Sequence, residues 1–333
     1  MSDPLPPLGD PQTPKTVRTE MEALRSALDG AIPPKRAASR NLLIATWNLK
    51  AFGSLVEKWT ATGNDTPKRD YRALWAITEI ISRFDVIALQ EVKGNLKALR
   101  VMLKTLGPDW NLLMTDVTRG DAGNGERLAF VFDSRRVNLS GLACELVVPL
   151  EKVEAGTITT NALDRQFART PYAVGFKAGD ETFVLVTLHV IYGDRPESRF
   201  PELKAIAEWM ADWATEISEW EQNLLVLGDF NIDRQGQLLW QAFTSSGLVV
   251  PNELDAVPRS IFSAEADRLD KYYDQIAWFE TDKKRRLNLE YLNRGGGFDF
   301  LPFLYRDLGM APGQMQYRMS DHYPLWVEFA CRK

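Results

Sequence analysis

The sequence contains only two histidines, and both lie at the ends of apolar segments. His189 follows the segment 183–188, and His322 lies within 320–324. Imidazole is the side chain whose unperturbed pKa lies near neutral pH, so these residues are the first candidates for acid–base chemistry. The alternative for each is a buried histidine that bonds a backbone carbonyl, and for a single histidine that alternative is the more common one.

Further polar residues end or begin apolar, strand-like runs in the same way. Each is an acid or an amide: Asn48, Glu91, Asp229 with Asn231, and Asp274. Burying such groups beside an apolar strand costs a few kcal/mol each unless something compensates. Convergence of these strand ends with the two histidines on one metal-bearing site would explain the repetition.

The residue types at these strand ends suit a hard cation and a phosphate ester. Asn48, Glu91 and Asp321 form an oxygen-only donor set, which favours Mg²⁺, or Mn²⁺ as an alternative, over Zn²⁺. Alternation along a strand places Asp229 and Asn231 on one face, where the acid can orient a water and the amide can bond a phosphoryl oxygen.

Hydrolysis of a phosphodiester requires a deprotonated water, a stabilised pentacoordinate phosphate and a leaving oxygen that can depart. Two histidines, several acids and a cation can meet these requirements. A histidine acts best as a base when a carboxylate fixes its tautomer. The spacing leaves open which acid serves which histidine.

Composition bounds the class of protein. The 333 residues are 45% hydrophobic and include ten Trp and sixteen Phe, so one large α/β domain can form, although the length also allows two domains. The sequence contains no run of about 18 apolar residues, so it predicts no membrane span. The first residues lack the features of a secretory signal, and the two cysteines suit a reducing cytoplasm, although their spacing leaves one disulfide open.

The net charge of −5 does not attract a polyanion to the protein as a whole, so any contact with nucleic acid must be local. The basic run 283–286 could contact phosphate or act as a localisation signal. Because Asp282 precedes the run, we interpret it instead as a solvated loop. The sequence indicates no protein partner.

The order of segments predicts sheets that are covered by helices. Residues 1–39 are rich in proline and form an extension with a short helix, marked by the helical spacing of Val17, Met21, Leu24 and Leu28. Residues 40–331 form the main domain. Three further amphipathic helices are predicted, over 71–81, 95–106 and 203–220.

Strands are expected between these helices. The strands 128–132, 173–176 and 183–188 follow one another as antiparallel neighbours would. This mixture excludes an all-parallel doubly wound fold. The triplet Gly295–Gly297 is interpreted as a flexible loop, because no helix with a Lys-Ser/Thr start follows it as in a phosphate cradle.

The strand-end segments together resemble the successive motifs of the endonuclease/exonuclease/phosphatase superfamily, in that family's order and over residues 41–330. They are Trp47-Asn48, Gln90-Glu91-Val92, Thr187-Leu188-His189, Gly228-Asp229-Phe230-Asn231, Asp274-Gln275-Ile276 and Ser320-Asp321-His322-Tyr323-Pro324. Two further segments, 125–132 and 169–171, together with Phe298-Asp299-Phe300, resemble the deoxyribonuclease I branch.

The resemblance implies a four-layer α/β sandwich, with two mixed β-sheets packed face to face and helices outside. It also implies that Glu91 binds the metal with help from Asn48 and Asp321. Asp229 and Asn231 would then position water and phosphate.

The resemblance further assigns each histidine a carboxylate. His322 would act as the base with Asp274 behind it, and His189, held by Glu126, would bond the phosphate or protonate the leaving oxygen. Arg169 would contact the substrate phosphate. A mutual surface ion pair is the alternative interpretation of Glu126 and Arg169.

The expected function is therefore that of a Mg²⁺-dependent phosphodiesterase that cuts DNA with little sequence preference. Arg169 lies where abasic-site endonucleases have an aromatic residue, which disfavours that branch. The run 272–275 disfavours the inositol 5-phosphatases. One alternative is an enzyme acting on a lipid headgroup or small phosphoester. Another is a catalytically inactive binding protein on the same fold, which is disfavoured because the motif positions keep competent residues.

Overall fold

The computed structural model describes residues 3–37, 40–118, 124–146, 169–192, 199–218, 223–263, 270–281, 284–285 and 287–331. The strands are β1 (Leu42–Phe52), β2 (Val86–Lys93), β3 (Trp110–Met114), β4 (Glu126–Asp133), β5 (Asn138–Glu145), β6 (Tyr172–Ala178), β7 (Glu181–His189), β8 (Asn223–Asp229), β9 (Leu248–Val249), β10 (Asp274–Thr281), β11 (Lys284–Arg285), β12 (Glu290–Gly297) and β13 (Leu325–Ala330). The helices are α1 (Lys15–Ala31), α2 (Tyr71–Ile81), α3 (Lys97–Leu106), α4 (Phe200–Ser218), α5 (Leu238–Thr244) and α6 (Pro312–Met315).

The strands form two mixed sheets. The first has the order β12-β13-β1-β2-β4-β3, and the second has the order β11-β10-β8-β7-β6-β5, with β9 beside β10. Within each sheet one central pair is parallel, β1 with β2 and β7 with β8, and the other described pairs are antiparallel. The predicted sandwich of two mixed sheets is confirmed.

The central strands are buried on both faces, which fixes the layers. In β1, Leu42 and Ile44 belong to the core between the sheets, while Leu43 and Ala45 belong to a second core under the first three helices. Side chains of a strand alternate between faces, so one strand serves both cores. On the far side, α4 packs its apolar side chains against the second sheet.

The N-terminal helix α1 is part of the second core. Its four apolar residues at helical spacing, Val17, Met21, Leu24 and Leu28, are fully buried. Glu20 on the same helix is also buried and accepts two hydrogen bonds from Arg72 of α2. The guanidinium of Arg72 also contacts Asp307 and lies 4.3 Å from the ring centre of Tyr305.

One predicted strand neighbourhood is wrong. The strand 128–132 lies within β4 of the first sheet, whereas 173–176 and 183–188 lie within β6 and β7 of the second. Only the latter two are antiparallel neighbours, and β5 is the other partner of β6. A strand that is buried on both faces has the same apolar sequence in either sheet, so the pattern did not indicate the switch.

The predicted loop at Gly295–Gly297 is also wrong, because these glycines end β12 and pair with β13. A Cβ added to Gly297 would lie 2.7 Å from a methyl group of Val257, and one on Gly296 would press on the ring of Trp326. Glycine is therefore used for close packing against its neighbours rather than for a turn.

The basic run 283–286, interpreted from the sequence as a loop, lies partly outside the described residues. Lys284 and Arg285 of the basic run form β11, while Lys283 and Arg286 lie outside the described residues.

The described helices include none that is both long enough and apolar enough to cross a membrane.

The buried pair between α1 and α2 leads to a stability prediction. We expect Glu20→Ala to lower the free energy of unfolding by about 3 kcal/mol, because Arg72 would lose a buried partner. Chemical denaturation measures the change, and Glu22→Ala on an exposed position of the same helix is the control. Equal, small effects of the two substitutions would show that α1 is held by its apolar face alone.

Candidate active site

The sheet topology brings the polar strand ends to one edge. Parallel strands have their carboxyl ends at the same edge of a sheet. Asn48 and Glu91 lie toward the carboxyl ends of β1 and β2, and His189 and Asp229 end β7 and β8, where they are directly paired. The two parallel pairs thus supply four of the proposed site residues.

Antiparallel neighbours bring the remaining residues to the same edge by their amino ends. Asp274 begins β10 and pairs with Asp229, and Glu126 begins β4 and pairs with Lys93 of β2. His322 precedes β13, whose first residue pairs with Thr46 of β1. Every site residue proposed from the sequence lies within this edge of the sandwich.

The carboxylate of Asp229 lies between the two histidines. Its Oδ2 is 3.5 Å from Nε2 of His189 and 3.8 Å from Nε2 of His322, and it accepts a 3.0 Å hydrogen bond from Nδ2 of Asn48. Burial opposes the charge, but the positive charges of His322 and His189 outweigh it and hold the pKa of Asp229 below its usual value.

His322 has a second carboxylate behind it. Its Nδ1 lies 2.6 Å from Oδ2 of Asp274, which is fully buried. Burial raises the pKa of Asp274 to about 6, against the opposing charge of His322. Burial also favours a neutral imidazole, but the charges of Asp274 and Asp229 outweigh it and raise the pKa of His322 to about 10.

His189 faces Glu126 on the side away from Asp229. Its Nδ1 is 3.3 Å from Oε2 of Glu126, close enough for an ion pair but not aligned as a hydrogen bond. Glu126 also accepts hydrogen bonds from Arg169 at 2.6 Å and from Lys93 at 2.8 Å. Burial opposes its charge, but His189 above all, together with Arg169 and Lys93, lowers the pKa of Glu126 to about 2.

Both sequence interpretations of Glu126 and Arg169 therefore describe part of the geometry. The two side chains do form an ion pair, but it is buried rather than on the surface, and Glu126 faces His189 at the same time. Nη1 of Arg169 is buried without a hydrogen-bond partner in the described structure, and the residue lines the cleft. That nitrogen is free to donate to an anion.

Asn231 lies at the site, but not for the structural reason that the sequence predicted. The strand β8 ends at Asp229, and Asn231 lies beyond it at φ +50°. Strand alternation therefore does not apply. Instead its backbone N–H donates to Oδ1 of Asp229, and its side-chain Nδ2 donates to the carbonyl of Val190 at 2.7 Å. Asn231 fixes the turn that positions Asp229, and it lines the cleft.

The proposed metal ligands provide hard oxygen donors. Glu91 and Asp321 both line the cleft, and Oδ1 of Asp321 is buried with no hydrogen-bond partner among the described residues. Asn48 turns its nitrogen toward Glu91 and Asp229, and its Oδ1 accepts from the backbone of Lys50. Two carboxylates and an adjacent amide fit Mg²⁺ or Mn²⁺. The described residues include no cluster of three or more His, Cys, Asp or Glu side chains arranged around one point, so the fit rests on the two carboxylates and the amide.

The cleft between these groups has a volume of about 350 Å³. Beside the predicted residues it is lined by side chains that the sequence reasoning did not single out: Asn124, Tyr192, Ser260, Phe262, Lys271 and Tyr273. Proximity in the chain could have indicated Tyr273, which directly precedes Asp274. The loop residues carried no such signal.

Comparisons with known proteins identify the family of this chain. A family model described as the Endonuclease/Exonuclease/phosphatase family matches residues 45–270. A protein named deoxyribonuclease, from Thioalkalivibrio sp. (strain K90mix), is 28% identical over 308 residues, which cover 88% of this chain and 72% of that protein.

Several solved structures share the fold at low identity. A functionally unknown conserved protein from Enterococcus faecalis V583 has a TM-score of 0.57 and 17% identity, covering 87% of this chain and 100% of that chain. D. rerio TDP2, complexed with single strand DNA product, has a TM-score of 0.54 and 14% identity, covering 87% and 98%. The mannosyl-6-phosphatase of Bacteroides thetaiotaomicron VPI-5482 has a TM-score of 0.52 and 17% identity, covering 86% and 99%.

The two histidine–acid contacts predict two separate kinetic units. Loss of a general base typically costs about 10²- to 10⁴-fold, so His322→Ala should lower kcat by at least about 10². Adding Asp274→Asn to His322→Ala should cost little more, because the acid has nothing left to orient. Adding Glu126→Gln to His189→Ala should likewise cost little more in kcat.

Crossed double mutants are the control for these pairings. Glu126→Gln combined with His322→Ala should come close to multiplying the two single effects. Steady-state kinetics on one substrate, with circular dichroism to verify folding, measures all combinations. Coupling as strong in the crossed pairs as in the contacting pairs would contradict the assignment of acids to histidines.

Proposed function

The chain belongs to the endonuclease/exonuclease/phosphatase family and is a phosphoric ester hydrolase, and from that premise we propose that it is a Mg²⁺-dependent nuclease that hydrolyses DNA with little sequence preference. The observation that carries the proposal is the pair of histidines, each with its own carboxylate, that face Asp229 from two sides of one cleft. This arrangement supports the proposal, because a base and an acid would then lie on opposite sides of a reacting phosphate.

Glu91 and Asp321 would hold the cation through carboxylate oxygens, with Asn48 beside them. When bound there, Mg²⁺ supplies positive charge that stabilises the negative charge developing on the phosphate oxygens. Mn²⁺ would serve the same purpose, because it accepts the same oxygen ligands.

His322 would accept a proton from the attacking water at Nε2, while Asp274 holds the imidazole by Nδ1. The water oxygen bonds to phosphorus as the bond to the leaving oxygen breaks. His322 can act only in its neutral form. Glu91 and Asp321 would hold the cation near His322, where its charge would oppose the rise in the pKa of His322 and favour that form.

His189 would donate through Nε2 to the phosphate or to the departing oxygen, with Glu126 stabilising the charged imidazole. Asp229 would orient the water between the two rings. Arg169, through its unpaired Nη1, would contact a phosphate oxygen, and Asn231 would line the phosphate position. Each of these roles uses a group that already lies at the cleft.

The wall of the cleft beside His322 supports a nucleic acid substrate over a small phosphoester. Tyr192 is 57% exposed, and the guanidinium of Arg199 lies 4.5 Å from its ring centre. The ring of Tyr273 meets it edge-on, and Phe262 nearby is also exposed. Exposed rings beside a phosphate site are platforms on which bases stack. The name of the Thioalkalivibrio relative supports DNA in particular.

A metal-removal experiment tests the cation. Because the proposed ligands are all oxygens, EDTA should abolish plasmid nicking, and Mg²⁺ or Mn²⁺ should restore it. Glu91→Ala should weaken Mn²⁺ binding measured by calorimetry. Full nicking activity in EDTA would contradict the metal assignment.

Substitution of Tyr192 tests the substrate class. Loss of one stacking ring typically costs about 1–3 kcal/mol, so Tyr192→Ala should raise KM for a DNA oligonucleotide roughly five- to a hundredfold. Hydrolysis of bis-p-nitrophenyl phosphate, which has no base, should change by less than about threefold. Tyr317→Ala, at an equally exposed tyrosine outside the cleft lining, is the control. Equal losses on both substrates would favour a small phosphoester.

A further inference from the structure

A lysine already occupies part of the proposed metal site. Nζ of Lys50 lies 2.5 Å from Oδ2 of Asp321, and both side chains are partly buried. The mechanism above gives Lys50 no role. Its ammonium nevertheless neutralises one of the two carboxylates that would bind the cation.

The backbone that carries Lys50 is built into the site. Lys50 and Ala51 adopt φ values of +36° and +49°, a left-handed conformation that non-glycine residues rarely take. The N–H of Ala51 donates to Oε2 of Glu91 at 2.9 Å. This bulge of β1 thus contacts Glu91 through its backbone and Asp321 through its side chain.

Arg69 holds this bulge of β1 against the segment that leads to Asp321. Its buried guanidinium donates to the carbonyls of Leu49, Lys50 and Ala51, and also to that of Met319. One side chain therefore fixes the backbone on both sides of the ion pair between Lys50 and Asp321. The left-handed backbone at Lys50 and Ala51 is strained, and such strain persists only when the surrounding structure enforces it.

We propose that Lys50 is an internal counter-ion that competes with the divalent cation for Asp321 and so sets the affinity of the metal site. This inference rests on the metal site of the proposed function. The ammonium of Lys50 balances the charge of Asp321 when no cation is bound. A divalent cation must then bind against a fixed positive charge, which weakens its binding.

Direct Mn²⁺ binding tests the proposal without using activity. The full chain would be stripped with EDTA, dialysed and titrated with MnCl₂, and free Mn²⁺ would be measured by electron paramagnetic resonance. Lys50→Gln should bind Mn²⁺ about tenfold or more tightly than the wild type, because a like charge beside the cation is removed. Lys50→Arg, which keeps the charge, should stay within about threefold of the wild type.

Lys93→Gln is the matched control. It removes the same charge from a lysine that also pairs with an acid of the site, and Lys93 is 25% exposed against 27% for Lys50, but its partner is Glu126 rather than a proposed metal ligand. Lys93→Gln should change the Mn²⁺ affinity by less than about threefold, since it leaves both proposed carboxylate ligands with their contacts. The increase in melting temperature on adding Mn²⁺ should be larger in Lys50→Gln than in the wild type.

The outcomes separate this proposal from the one it rests on. An unchanged or weaker affinity in Lys50→Gln, or a gain that Lys93→Gln matches, would overturn the role of Lys50 alone. Wild-type protein that binds Mn²⁺ no better than Glu91→Ala would overturn the metal site itself, and this inference with it.

Discussion

The hydrogen bond from Asn48 to Asp229 joins the two sheets at the edge where the site lies. Asn48 belongs to the first sheet and Asp229 to the second, and their side chains meet at 3.0 Å. Neither sheet alone assembles the site, because His189, Asp229 and Asp274 come from the second sheet while Glu91 and Glu126 come from the first. Packing of the apolar inner faces is therefore a condition for the chemistry.

Buried charge at this edge is stabilised by pairing rather than by solvent. Asp229, Asp274 and Glu126 are almost fully buried, and each lies within ion-pair distance of a histidine. Pairing compensates for the cost of burying such groups, and it also separates their pKa values, which lets neighbouring carboxylates do different things. The left-handed backbone at Glu91 and Asn231 lies at the same edge, where strained residues often mark function.

Much of this arrangement could be predicted because the relevant signals are local. An acid or amide at the end of an apolar run identified Asn48, Glu91 and Asp229, and helical spacing identified the buried face of α1. Features that are set by contacts with distant parts of the chain could not be predicted from the local sequence. The sheet to which β4 belongs is set by pairing across the fold, and the glycines of β12 are set by the ring of Trp326. The residues of the aromatic wall lie on loops, and Lys50 lies in an irregular part of β1, so neither follows a periodic pattern that would indicate what it faces.

Asp229 lies between the two histidines, and we propose that it serves both of them, which the substitution Asp229→Asn tests. The amide keeps the size and can still bond Asn48 but removes the charge between the rings. We expect kcat for bis-p-nitrophenyl phosphate to fall by at least about 10²-fold, with circular dichroism and Mn²⁺ affinity close to those of the wild type. Activity within about threefold of the wild type would contradict the account, because the two histidines would then work without the carboxylate they share.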